Sequence, residues 1–201
     1  VFISVMLVGS RAERSLFALI EKANISKAEL ANNHLEQFLN ARISVLSDIA
    51  ASPVVAGSAL GSEISIANLY DYLDDYSILG KQEGVVIYDV TGEVIYSNKL
   101  DFDASIGKEK WFADIIDGEN DSIIRMQQSD GKHNIIISVP ILYLGSPEGV
   151  LEVQFNESLE TLLSSVLTSL SAIEIQSNYL NYSSLNSNNR YTMILDESVG
   201  D

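Results

Sequence analysis

The stretch 84-GVVIYDVTGEVIYSN-98, Gly84 to Asn98, decides how this chain is read. Two β-branched and aromatic runs, Gly84 to Val90 and Glu93 to Asn98, flank Thr91-Gly92, a pair that lets the backbone reverse. The pattern predicts a β-hairpin. The chain before the hairpin has helical periodicity and most of the chain after it has strand periodicity, so the hairpin marks the passage from helix to sheet.

Upstream, no glycine or proline occurs from Ser10 to Ser52. Leu16, Leu19 and Ala23 lie on one helical face, and Leu35, Leu39, Arg42, Leu46 and Ile49 mark another run at spacings of three and four. One long helix or two in line is expected, up to ~60 Å if continuous, with "NISKAEL" as the point where it could bend. Ser52-Pro53 ends it, because a residue before proline is pushed out of the helical region. A second helix is expected from Ile64 to Leu79, closed by Gly80.

Downstream, "WFADIIDG" predicts a short helix closed by Gly118. Three more strands come next: Ser122 to Gln128, a turn at Ser129-Asp130-Gly131, Lys132 to Leu142, a turn at Gly145 to Gly149, and "GVLEVQFN". The expected class is α+β, a long N-terminal helix packed on a five-stranded antiparallel sheet with a helical insert between its second and third strands. After Asn156, "ESLETLLSSVLTSL" has helical leucine spacing, and "AIEIQSN", "LNYSS" and "RYTMIL" have strand character.

Composition narrows the function. Of 201 residues, 28 are acidic and 12 basic, a formal charge of −16 that would repel a phosphate backbone, so nucleic acid is not an expected partner. Zero cysteines exclude disulfides and thiolate chemistry. His34 and His133 lie far apart with no metal-ligand spacing around them. No phosphate loop or nucleophile elbow is present, so neither a cofactor nor catalysis is expected. The opening "VFISVMLVG" is apolar and reaches about 14 Å as a helix, half a hydrocarbon core. A buried helix start is the lesser reading on length, and the outer end of a membrane helix is the sharper one.

Trp111 and Phe112 are core residues or a pocket wall. Lys108, Lys110 and Arg125 are solvated surface charges or the cations of an anion site. Tyr88 and Tyr96 alternate with apolar residues along the hairpin, so sheet packing is their ordinary role and one of them could face a pocket.

"LEQFLNARISVLSDIAASPVV", "VVIYDVTGEVIYSN", "WFADI" and "IIISVPIL" with "GVLEVQFN" together resemble the extracytoplasmic Cache family, PAS-like sensor domains of bacterial chemoreceptors, histidine kinases and diguanylate cyclases. The resemblance covers Leu35 to Asn156. It implies a non-catalytic sensor in the bacterial inner membrane, facing the periplasm, with a small molecule bound between the sheet and the insert. By resemblance Trp111 and Phe112 line that pocket, with Tyr88, Lys110 and Arg125 as further candidates. Amino-acid-binding members place an arginine two residues before the tryptophan, where this chain has Glu109. They also place an aspartate near the last strand, where this chain offers Gln154 or Asn156. Both departures disfavour an α-amino acid, because a glutamate repels a carboxylate.

The expected organisation is residues 1–10 as the end of a transmembrane helix, 11–52 as a signalling and dimerisation helix, 53–156 as the sensor domain, and 157–201 as a connecting helix and the start of a second, incomplete module. A homodimer through the N-terminal helix is expected. The competing reading is a docking or dimerisation module with no small ligand.

Overall fold

The computed structural model describes residues 2–74, 82–99, 105–129, 132–158, 161 and 192–196. Helix α1 (Phe2–Ala50) runs unbroken for 49 residues, about 74 Å at the usual rise, and does not bend apart at "NISKAEL". Its second half buries Ala31, Leu35, Leu39, Leu46 and Ile49 along one stripe against the sheet. Arg42 shares that stripe, its guanidinium carbon 3.3 Å from the Phe38 ring centroid and 5.1 Å from that of Phe155. In the first half Leu19, Ala23, Ile25 and Leu30 are exposed. No single helix among the described residues is long and apolar enough to cross a membrane.

Ser52-Pro53 does end α1, and it also starts a helix that the periodicity alone did not suggest. In α2 (Pro53–Ala59) the Val55 amide donates to Ser52 Oγ at 3.3 Å and proline occupies the first turn, where its missing N–H costs nothing. Ser52→Ala should cost about 1 kcal/mol, read as an unfolding midpoint lower by about 3 °C. Helix α3 spans Glu63–Asp74. Leu79 and Gly80, the expected end of that helix, lie outside the described residues.

The strands are β1 (Gln82–Asp89), β2 (Val94–Ser97), β3 (Ile123–Ser129), β4 (Lys132–Tyr143), β5 (Ser146–Ser158) and β6 (Thr192–Asp196), with α4 (Lys110–Ile116) between β2 and β3. They form one sheet in the order β2-β1-β5-β4-β3-β6. Each neighbouring pair among the first five is antiparallel, as expected, and β6 adds a parallel edge beside β3. Strand β6 is the "RYTMIL" segment of the tail; the connecting helix beyond Thr161 and the other two tail strands lie outside the described residues, as does the Asp130-Gly131 turn.

The β1–β2 hairpin is held by Asp89, whose Oδ1 accepts from the Thr91 amide (2.8 Å), the Thr91 hydroxyl (2.6 Å) and the Glu93 amide (3.0 Å). Gly92 has φ 83°, and a side chain there would meet the backbone of Gly107. The β4–β5 reversal is tighter than the expected Gly145 to Gly149 turn. Tyr143 faces Ser146 across Leu144-Gly145, and Gly149 belongs to β5, where the carbonyl of Tyr88 leaves no room for a Cβ.

Both faces of the sheet are covered. Helices α1 and α2 pack on the face carrying Ile87, Ile137, Val139, Leu151, Val153 and Phe155. Helix α4 packs on the other, over Val86, Tyr88, Ile123 and Val150.

Candidate functional site

Strand alternation sends every second residue towards α4. The register sets them out in rows: Val86 opposite Glu152, Glu152 opposite Ser138, Ser138 opposite Ile123; then Gly84, Gln154, Ile136 and Arg125. The middle of this face therefore carries Glu152, Gln154, Ser138 and Arg125 among apolar neighbours. Arg125 starts on β3 and reaches past β4 to pair through Nη2 with Glu152 Oε2 on β5. Its guanidinium carbon lies 4.0 Å from the Trp111 ring centroid, so the indole of α4 roofs the ion pair.

The pair is deep. The Arg125 side chain is 18% exposed and that of Glu152 7%. Such burial strips both charges of water, and their attraction returns that cost only with good geometry and further hydrogen bonds. Those further bonds are incomplete: Arg125 Nε and Ser138 Oγ are buried without a hydrogen-bond partner among the described residues. Buried polar groups left in that state call for an explanation, whether an ordered water, an ion or the polar atoms of a ligand.

Of the residues the sequence singled out, Trp111, Phe112, Tyr88, Arg125 and Gln154 share this face. Trp111 is 7% exposed within the α4 cluster, the core role weighed for it, edge-on to Phe112 at 6.1 Å, and it covers Arg125. Tyr96 lies on the opposite face, 4.9 Å from the Tyr70 ring. Lys110 and Glu109 do not join the site. The Lys110 side chain is 86% exposed and bonds Asp114 one turn along at 2.8 Å, which raises its pKa, first through that hydrogen bond and then through the Asp114 charge. Glu109 is exposed at the N-terminus of α4 and makes no side-chain cap. With Lys108 exposed too, the three cations considered as one anion site are not brought together.

Glu152 and Ser138 are functional candidates that sequence reasoning missed. Near the last strand it fixed on Gln154 and Asn156, whereas alternation puts Glu152 on the same face as Gln154. The available signal was a carboxylate inside a strand covered on both faces. No group of acidic and histidine side chains among the described residues is arranged to hold a metal ion.

No family model matches the sequence, and no curated protein matches it. Solved structures do match the fold. The sensor domain of the V. cholerae histidine kinase DctB superposes with a TM-score of 0.57 at 15% identity, over 74% of this chain and 59% of that one. The ligand-binding domain of the Pseudomonas aeruginosa amino acid chemoreceptor PctC, in complex with GABA, gives 0.52 at 20% identity over 71% and 62%. That of the Campylobacter jejuni chemoreceptor Tlp3, with L-valine, gives 0.52 at 19% over 75% and 65%. The neighbours are sensor and ligand-binding domains, and the fold is the one the Cache resemblance implied. This chain spans less than two thirds of the length of each.

Proposed function

We propose that this chain is an extracytoplasmic sensing domain of a bacterial transmembrane receptor, and that a small zwitterion binds between α4 and the sheet. One observation carries the reading: a buried Arg125–Glu152 pair beneath Trp111, with Arg125 Nε and Ser138 Oγ lacking partners among the described residues. A guanidinium edge suits a carboxylate and a buried carboxylate suits an ammonium, so a ligand carrying both signs can exchange one internal pair for two of its own. Trp111, Phe112 and Tyr88 supply apolar wall, and Gln154 supplies an amide. The expectation against amino acids rested on Glu109 and on neutral residues in β5. Glu109 lies outside the buried face and Glu152 inside it, and on the present reading Arg125 and Glu152 take the place of the missing arginine and aspartate. The GABA and L-valine complexes of the structural neighbours agree in ligand class.

Transmission would run through β5. Glu152 and Gln154 face the ligand side, while Phe155, next in the strand, faces α1 and stacks near Arg42. A shift of β5 on binding would reach α1 by that contact. The exposed Leu19, Ala23 and Leu30, which share one helical face, favour a homodimer along the first half of α1, with residues 1–10 leading from a membrane span. The tail from residue 157 would lead into a second module, and a kinase, cyclase or chemotaxis output would lie beyond it.

Thermal unfolding against zwitterions, matched monocarboxylates and matched amines tests the ligand class. A zwitterion at a hundredfold its Kd should stabilise by about 2.7 kcal/mol, with the single-charge analogues well below it. A flat panel would leave the docking module as the reading.

A further inference from the structure

We propose that the end of the sheet formed by the β4–β5 turn is a docking surface for a protein partner that presents an apolar cleft with a basic margin. Three elements meet at Gly149: it pairs with Asp89 of β1 and Ile141 of β4, and a Cβ there would lie 3.3 Å from that of Ala59 at the end of α2. The residue after each of these three is a large exposed hydrophobic: Val90, Leu142 and Leu60. Tyr143 and Leu144 follow Leu142 into the turn at this end of the sheet and are exposed as well, Leu144 being 91% exposed. An apolar group of this kind gathered at one end, rather than scattered, is the pattern of an interaction site.

Backbone strain singles out the same place. Leu144 has φ 51°, the one positive φ outside glycine among the described residues. With Gly145 at φ 89° it forms a two-residue turn whose first position favours asparagine, aspartate or glycine. Leucine there is unfavourable for the backbone and for solvation, and neither cost is offset within the described residues. The tip of a finger entering a partner's cleft reconciles the two.

Charge selects the occupant. Glu93 lies three residues after Val90 across the β1–β2 turn, Glu148 flanks Leu142's partner Pro147, and Lys108 is the basic residue beside the β1–β2 turn. In a chain of charge −16 a second copy would bring an acidic margin against an acidic margin, and an anionic bilayer would be repelled likewise. A protein with basic residues around an apolar cleft meets both features.

The test is photocrosslinking of the full-length protein in its native cells with Leu144→p-benzoylphenylalanine, then purification of the captured protein and its titration against parent and Leu144→Asn. Asparagine suits this turn, so Leu144→Asn should raise the unfolding midpoint by about 2 °C, which removes misfolding as an explanation. The expected result is one protein adduct whose Kd is raised at least about tenfold by Leu144→Asn and rises with added salt. An adduct to a second copy or to lipid, no adduct, or equal binding by the variant overturns the proposal.

Discussion

Glu152→Ala should destabilise the domain by about 3–5 kcal/mol, because it leaves the Arg125 guanidinium charged, buried and unpaired. In a domain of this size that lowers the unfolding midpoint by roughly 10 °C. The double change Arg125→Met with Glu152→Leu should recover most of the loss, since two apolar side chains of similar volume remove the desolvation cost together with the attraction. Urea unfolding of the parent, of Arg125→Met, of Glu152→Leu and of the double variant closes the cycle. A cost below about 1 kcal/mol for each single variant would mean that the pair is solvated in solution, as surface pairs are. The double variant should also lose the response to zwitterions while keeping its fold, which separates binding from stability.

The second large effect is expected at Phe155. Its ring is 1% exposed, packed in the α1-side core beside Arg42. Phe155→Ala should cost about 3–5 kcal/mol through lost burial and the cavity left behind. Phe155→Leu preserves most of the volume and should cost less than about 1.5 kcal/mol, yet it removes the ring face near Arg42. If β5 carries the signal to α1, Phe155→Leu leaves the zwitterion Kd within about twofold and reduces receptor output in the full-length protein. Unchanged output with unchanged affinity would remove Phe155 from the route.

How far the sequence could be read depends on the range of the interactions involved. The hairpin and α4 rest on contacts close in the chain, and the stripe of α1 that packs on the sheet is written in its own spacing, so periodicity alone places their residues on the correct elements. Helix α2 is also written locally, in Ser52-Pro53, but a proline there signals an end and a beginning at once. The strand at Thr192–Asp196 is visible as a strand, while its parallel pairing with β3 depends on a partner more than sixty residues away. The site divides in the same way. Trp111 and Arg125 are nameable as residue types, but their stacking needs α4 to lie over β3, and the pairing of Arg125 with Glu152 needs the registers of β3, β4 and β5 together. Lys110 looks equivalent to Arg125 in the sequence; one turn of helix gives it to Asp114 instead.

Trp111 is the single tryptophan of the chain and roofs the Arg125–Glu152 pair, so its emission reports on the proposed site without labelling. The most direct measurement is a fluorescence titration of the parent and of Arg125→Gln with the zwitterion that stabilises the parent most. The account predicts a saturable change in the parent, with a Kd matching the thermal shift, and at least about a tenfold weaker response in Arg125→Gln. Stabilisation with no change in Trp111 emission, or an equal response in the variant, would place the ligand elsewhere and contradict it.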